Sequence, residues 1–546
     1  VIIEKYIVGE DYRLLVIDFK LVAAAKRTAA HVIGNGKLTI QQLIDKVNED
    51  PKRGYGHEKV LTMIEVNDLT LGILEENGKT LESVLEKGEI LKLKDTANLS
   101  TGGTAEDVTE IVHPYNIFMA ERIARIIDLD ICGIDIMTTD IGKPLPETGG
   151  AVLEVNAGPG FRMHLSPAIG LPRNVAGHVI DMLYPPGANF RIPIIAVAGT
   201  NGKTTTTRLI AYMAMMKGHK VGYTTTDGVY IQNRLLMSGD CTGPSSAEFV
   251  LKDPTVDFAV LESARGGLLR AGLGFKNCDI GIVTNVAADH LGLKGIHTIE
   301  QLARVKGVVP ETVFPNGHAV LNADDDLVYA MKDNVKCKVA LFSLYENNPR
   351  IKKHAKLGGL SAILENDYLT ICKGEWKIRV TKVINVPLTF EGKAVFMIQN
   401  ALAATLAGYI RGFSIEDIKV ALESFIPSPA QTPGRLNMFR FKEFDVLIDY
   451  AHNAAGLRAL KQMVSKMDGS PKVGMIAGIG DRRPEDNHEI GVVAAEMFDE
   501  IIIRQDKNLR GKTELELIEM IHNGIKSVSD KKPVTIIPSE HDAIIH

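Results

Sequence analysis

The stretch Gly199-Thr-Asn-Gly-Lys203-Thr204-Thr-Thr-Thr207 carries the residue types that hold a polyphosphate. The apolar run over residues 192–197 ahead of it reads as a buried strand, and residues 208–216 behind it read as a helix. A glycine turn between the two aims backbone N–H groups and a helix N-terminus at one spot, which suits phosphate oxygens. Lys203 would neutralise the β- and γ-phosphates there, and the Thr204 hydroxyl would hold Mg2+. The first glycine lies closer to Gly202 than in the common form of such a loop. A second set of candidates lies upstream in Asp135, Glu154 and Asn156. Period-two geometry puts Glu154 and Asn156 on one face of a strand. If that strand pairs with residues 131–137, Asp135 joins them, giving three oxygen ligands of the kind Mg2+ takes beside phosphates. Solvated strand carboxylates are the alternative.

Positioning these groups calls for an α/β chain of several domains. With 546 residues, the sequence exceeds what one core supports. Residues 1–183 read as one unit, with a hairpin around Asp18-Phe-Lys20, an amphipathic helix over 117–127, and strands over 131–137 and 151–155. Residues 184–191, including Pro185-Pro-Gly-Ala-Asn189, read as a linker. Residues 192–426 alternate strands (194–197, 258–261, 280–283, 320–322) with helical stretches, the pattern of a doubly wound parallel sheet. In such sheets ligands bind at the carboxyl ends of the strands, where Gly199, Glu262, Asn285–His290 and Asp324–Asp326 fall. Residues 427–546 form a third unit that restarts the alternation at 446–448, 473–477 and 500–503.

Bulk properties narrow the classes. A net charge of −5 argues against a nucleic-acid-binding surface over the whole molecule. No apolar run reaches the roughly 20 residues that span a bilayer, and no signal peptide is visible. The five cysteines, without a CxxC pair, read as reduced core residues of a cytoplasmic protein. Both ends read as cut, so the chain is expected to be a piece of a longer protein.

Asp135 followed by Glu154-Val-Asn156-Ala-Gly-Pro-Gly160 resembles the metal-binding end of ATP-grasp ligases. Glu4-Lys5-Tyr6 is similar to the segment after that fold's adenine hinge, and Arg27 to a phosphate contact, with a surface arginine as the alternative. On this resemblance the first unit is the C-terminal portion of an ATP-grasp α+β domain. The lobe that would close over the nucleotide lies before Val1, so aspartate addition by the chain as given is expected to be lost.

The loop at 199–207 resembles that of Mur ligases and folylpolyglutamate synthetases, which activate a carboxylate as an acyl phosphate and join it to an amine. The resemblance implies a Mur ligase central P-loop domain followed by a Rossmann-like Mur ligase C-terminal domain, probed in order by Glu262, Asp289-His290, Lys306, Asn400, Gly434-Arg435 and Asp449-Tyr-Ala-His452-Asn453. It implies ATP contacts at Gly199, Thr200, Asn201, Gly202, Lys203, Thr204, Thr205, Asn400 and Arg435, with Arg27 serving the first unit. Mg2+ would sit on Thr204, Glu262 and His290, and in the first unit on Asp135, Glu154 and Asn156. Lys203, His290, Arg435, Asp449 and His452 are the catalytic candidates, Arg435 and Asp449 reaching the nucleotide from the opposite side. Lys306 falls where some of these ligases carry a carbamylated lysine, with plain lysine the alternative. Asn400 is an adenine contact or a helix-surface residue. Ala454 departs from the usual proline, and Pro484 from an expected acid.

An ATP-grasp unit ahead of Mur-like domains, with Gly239-Asp-Cys241-Thr-Gly-Pro-Ser245, Ser263-Ala-Arg-Gly-Gly-Leu-Leu-Arg-Ala-Gly272 and Asp481-Arg-Arg483, resembles the cyanophycin synthetase family. That implies an ATP- and Mg2+-dependent homo-oligomeric ligase that adds aspartate and arginine to a cyanophycin primer, without nucleic acid or membrane. The alternative is another Mur-like or folylpolyglutamate synthetase-like amino-acid ligase fused to ATP-grasp.

Overall fold

The computed structural model describes residues 6–56, 58–188, 190–505 and 509–546. Glu4 and Lys5 of the expected hinge segment, with most of the strand read over 1–7, lie outside the described residues. The chain divides into two compact units between Phe190 and Arg191.

Unit 1 is built on a five-stranded sheet. Strand β1 (Glu10–Ile17) turns through Asp18 and Phe19, both at positive φ, into β2 (Lys20–Thr28), pairing from Asp11↔Arg27 to Ile17↔Lys20. Between β2 and β3 (Thr104–Asp107) the chain makes a small subdomain containing α1 (Ile40–Asn48), which no periodicity in the sequence announced. Helix α2 (Pro114–Ile127), β4 (Ile131–Thr138) and β5 (Ala151–Asn156) complete the layer, in the order β3-β2-β1-β4-β5. Ala120 and Ala124 let α2 lie close on Leu14, Val16, Ile134 and Ile136, all buried. This packing holds β4 and β5 antiparallel with Asp135 directly opposite Glu154.

Unit 2 begins with β6 (Ile194–Ala198) and α3 (Lys203–Met216). It continues through β7 (Val221–Thr225), β8 (Gly228–Ile231), β9 (Arg234–Ser238), β10 (Phe258–Glu262) and β11 (Cys278–Val283). Helix α4 (Ile299–Glu311) leads to β12 (Val313–Asn322), β13 (Lys338–Ser343), β14 (Leu360–Glu365), β15 (Tyr368–Lys373) and β16 (Trp376–Lys382). Their order is β9-β8-β7-β10-β6-β11-β12-β13-β14-β15-β16. Strands β7 to β14 in that row pair parallel, and an antiparallel hairpin extends each edge. Successive residues of β6 point to opposite faces. Ile195 and Val197 enter one core with α3 and helix α5 (Val395–Ile410), while Ile194, Ala196 and Ala198 enter the other with α4. A strand buried on both faces needs this unbroken apolar run.

The last stretch departs from the expected alternation. Strand β18 (Asp445–Ile448) is mostly exposed and pairs antiparallel only with β17 (Asn437–Arg440), so it belongs to a separate hairpin. After α6 (Ala454–Val464), the parallel sheet consists of β19 (Val473–Gly478), β20 (Glu500–Gln505) and β21 (Val534–Ile536), with α7 (Pro484–Met497) between its first two strands. Cys132, Cys241, Cys278 and Cys372 are buried and Cys337 partly so, none of them bridged. Among the described residues no helix is long and apolar enough to cross a membrane.

Candidate active site

The loop between β6 and α3 sits at the carboxyl end of the sheet and is tightly scaffolded. Gly199 has φ 145, and a side-chain carbon there would collide with the Thr284 hydroxyl. Gly202 has φ 87, and a side-chain carbon would collide with the Asn400 amide. Only glycine tolerates both the backbone and the space. Asn285 accepts from the Asn201 N–H at 2.9 Å and donates to the Asn201 carbonyl at 3.0 Å. Lys306, buried, donates to the Gly199 carbonyl at 2.8 Å. Burial, with Lys203 nearby, lowers its pKa to about 7. Asn400 is buried under Gly202, which removes the helix-surface alternative.

At the mouth of the loop, Thr204 Oγ1 donates to Glu262 Oε2 at 2.9 Å, and Lys203 Nζ lies 3.9 Å from Glu262 Oε1. Thr226, which sequence reasoning missed, donates its hydroxyl to Glu262 Oε1 at 2.9 Å and its N–H to Oε2 at 3.2 Å. Its signal was the threonine run ending β7. Thr200 and Thr205 are buried in the same loop and first helical turn. Arg435 arrives from beyond β16 with Nη2 3.5 Å from Thr204 Oγ1, its guanidinium over the Tyr450 ring at 4.5 Å. Asn201 and Asn453 exchange two amide hydrogen bonds, at 3.2 and 3.1 Å, tying the loop to the segment before α6.

Two of the expected site residues are engaged by the protein itself. Asp449, expected to reach the nucleotide, commits Oδ2 to the Leu436 N–H at 3.0 Å and Oδ1 to the Ala451 N–H at 2.8 Å. Burial raises its pKa. It therefore shapes the turn that presents Arg435. His290, expected as an Mg2+ ligand beside Thr204 and Glu262, belongs to another cluster. Its Nδ1 lies 2.7 Å from Arg482 Nη1 and 3.4 Å from Asp481 Oδ2. Arginine can only donate, so Nδ1 accepts and the neutral ring carries its proton on Nε2.

Arg482 organises that cluster, and sequence reasoning noted it only within a motif. It is 4% exposed and also holds Asp481 Oδ1 and Asp289 Oδ1, each at 2.9 Å. His452 Nε2 lies 3.8 Å from Asp289 Oδ2, with its Nδ1 3.0 Å from the Tyr450 carbonyl. Burial alone would raise the Asp289 pKa, but His452, Arg482 and His290 outweigh it and hold the carboxyl below its usual range. Burial, reinforced by Arg482, lowers the His290 pKa to about 4.

These shifts share a sign. Between pH 4 and 6.5 the unfolded chain binds the His290 proton more than the folded one, and between 7 and 10.5 it does so at Lys306. Stability therefore rises with pH through both windows, and Asp289 adds a loss below the ordinary carboxylate range. Melting temperature is expected to climb from pH 4 to pH 9. The slope should flatten below pH 6.5 in His290→Asn and above pH 7 in Lys306→Met, and calorimetry across that range checks it.

In unit 1, Asp135 is gripped by Arg13, whose Nη2 donates to Oδ2 at 2.8 Å, and by Arg27, whose Nη2 lies 3.2 Å from Oδ2. Burial alone would raise its pKa, but the two arginines lower it overall. Arg27 is 8% exposed and also donates to Asp11 at 2.7 Å, so it is no surface arginine. Asn156 Nδ2 donates to Glu154 Oε1 at 3.0 Å, beside the exposed Glu154 carboxylate. Among the described residues no three His, Cys, Asp or Glu side chains converge as a metal cage. The Asp135–Glu154–Asn156 set and the Thr204–Glu262 pair still fit Mg2+, since both are hard oxygen donors whose shell phosphate and water can complete.

Residues 197–408 match the Mur ligase middle domain and residues 434–546 the Mur ligase glutamate ligase domain. The chain thus contains Mur ligase middle and C-terminal domains. Along 544 residues, 100% of this chain, it is 54% identical to the cyanophycin synthetase of Crocosphaera subtropica, covering 62% of that protein, and 51% identical to that of a Nostoc species, covering 60%. The chain thus spans about 60% of the length of these curated relatives. Over 184 residues, 34% of the chain, it is 32% identical to the glutathione biosynthesis bifunctional protein GshAB of Clostridium perfringens, covering 24% of it. The antiparallel sheet of unit 1 is of the ATP-grasp α+β type.

Proposed function

We propose that the chain is the ligase body of a cyanophycin-type polymerase, with unit 1 serving aspartate addition and unit 2 arginine addition to multi-L-arginyl-poly-L-aspartate. The observation that carries the ligase reading is the convergence of Lys203, Thr204, Glu262 and Arg435 at one loop mouth. Similarity to cyanophycin synthetases along both units supports the choice of substrates.

In each step a carboxylate oxygen of the acceptor attacks the γ-phosphorus of ATP, ADP leaves, and an acyl phosphate forms. The amine of the incoming amino acid then attacks the acyl carbon, phosphate departs, and the amine proton passes to a base. The chemistry lies in charge placement, because the transferring group spreads negative charge over its oxygens. Lys203 and Arg435 supply positive charge from opposite sides of the loop mouth. Bound Mg2+ would neutralise β- and γ-phosphate oxygens at Thr204 and Glu262 and, in unit 1, at Asp135, Glu154 and Asn156. Asp289, ionised, faces His452 Nε2 at 3.8 Å and fixes the orientation of the imidazole. Seating the segment that carries Arg435 and Asn453 on the loop excludes water from the acyl phosphate. We assign the protein to the cytoplasm as a homo-oligomer, on the strength of the family resemblance.

Supplying ATP and primer with aspartate or arginine separately tests this. Arginine-dependent ADP release from the intact protein is expected, with aspartate-dependent release at a second site. Release dependent on some other amino acid alone would instead favour a different Mur-like ligase fused to ATP-grasp.

A further inference from the structure

We propose that unit 1 carries a carboxylate-binding pocket in the subdomain between β2 and β3, built by Arg53 and Lys46 with His31 in its wall. A cavity of about 480 Å3 opens there, within the range of small-ligand sites, and no acidic residue lines it. It shares no residue with the Asp135–Glu154–Asn156 set.

Arg53 gives the pocket its charge. It is 6% exposed, and its Nη1 donates to the carbonyls of Thr62 at 2.5 Å and Gly102 at 3.1 Å. Both partners are neutral. Among the described residues no carboxylate pairs with Arg53 or with Lys46, which stands in the last turn of α1. A guanidinium does not lose its proton in a protein, and burial leaves Arg53 with Asp50, not in direct contact, as its countercharge. Its remaining N–H groups form a fork suited to a carboxylate. His31 donates Nδ1–H to the Ala29 carbonyl at 3.0 Å, so the neutral ring has no donor left at Nε2 and contributes wall rather than charge.

The other walls select the kind of anion. Leu43 and Val47 of α1 add an apolar side. The pocket takes residues only from the latter part of α1, so it lacks the helix N-terminus that polyphosphates favour. A cationic end beside an aliphatic wall fits a carboxylate on a short hydrocarbon stem, as free aspartate or the aspartyl residues of a peptide present it.

The test is a calorimetric titration of the intact protein without ATP, using sodium aspartate, a short poly-aspartate peptide with blocked termini, and inorganic phosphate. One of the two carboxylate ligands is expected to bind, and which one identifies the source. Arg53→Gln and Lys46→Ala should each weaken it by roughly tenfold, the loss expected for a hydrogen bond to a charged group. Lys46 is exposed and His31 partly so, and Lys46→Ala and His31→Gln keep the test decisive should Arg53→Gln fail to fold. Binding unchanged in both of these variants, no binding of either carboxylate, or tighter binding of phosphate would overturn the proposal. ADP release plays no part in the readout, so failure of the ligase reading leaves it standing.

Discussion

Lys203→Ala is expected to lower the phosphoryl-transfer rate at the 199–207 loop by about a thousandfold while leaving the melting temperature nearly unchanged. The two halves of that expectation have separate causes. Nζ donates to the Thr200 carbonyl at 3.0 Å and makes only a long ion pair, 3.9 Å, to Glu262, which Thr204 and Thr226 hold by hydrogen bonds without it. Its work begins when a triphosphate enters. Removing one preorganised donor from a developing negative charge costs roughly 100- to 1000-fold, and here a full positive charge goes with it. Glu262 would also be left facing the phosphates with less compensation. Single-turnover ADP formation beside a thermal melt separates rate from stability. Unchanged nucleotide affinity and turnover would mean that the loop is a scaffold for something other than phosphoryl transfer.

Arg482→Ala should show the opposite pattern, with stability falling first. The side chain is buried, and it holds Asp481, Asp289 and His290 at once. Taking it away strands the Asp289 carboxylate in a site already costly for charge, and breaking a buried pair in this way costs about 3–5 kcal/mol. For a domain of this size that corresponds to a melting-temperature loss on the order of 10 °C. Arg482→Lys should recover only part of it, because an ammonium is a point charge without the planar fork that reaches three partners. Calorimetry of both variants checks the order. A melt within a degree or two of wild type would show that water, not Arg482, compensates Asp289.

The sequence could reveal what is local. The loop at 199–207 announced itself through glycine spacing and flanking apolar runs, and strand periodicity placed Glu154 and Asn156 on one face, with Asp135 across the pair. The Asp18–Phe19 turn was readable for the same reason. Contacts between distant segments were not. Asn201 and Asn453 lie 252 positions apart, and His290 and Arg482 192 positions apart, so only the folded chain brings them together. The backbone amides that Asp449 holds were not legible either, because a carboxylate beside a motif looks the same whether it faces a ligand or two N–H groups. Strand β18 was misplaced because four alternating residues fit a surface hairpin as well as a sheet core. The subdomain that houses Arg53 has strands of only two or three residues, too short for any period to register.

The reciprocal amide pair between Asn201 and Asn453 is uncharged. Salt does not screen it and no proton alters it across the biological range. Its donors and acceptors match only when both amide planes face each other in one orientation. It thus works as a keyed seat. The field of Lys203 and Arg435 draws in the anion, but docking of the closing segment is set by geometry, and it stays in register while the charge at the mouth changes with every phosphate that comes and goes.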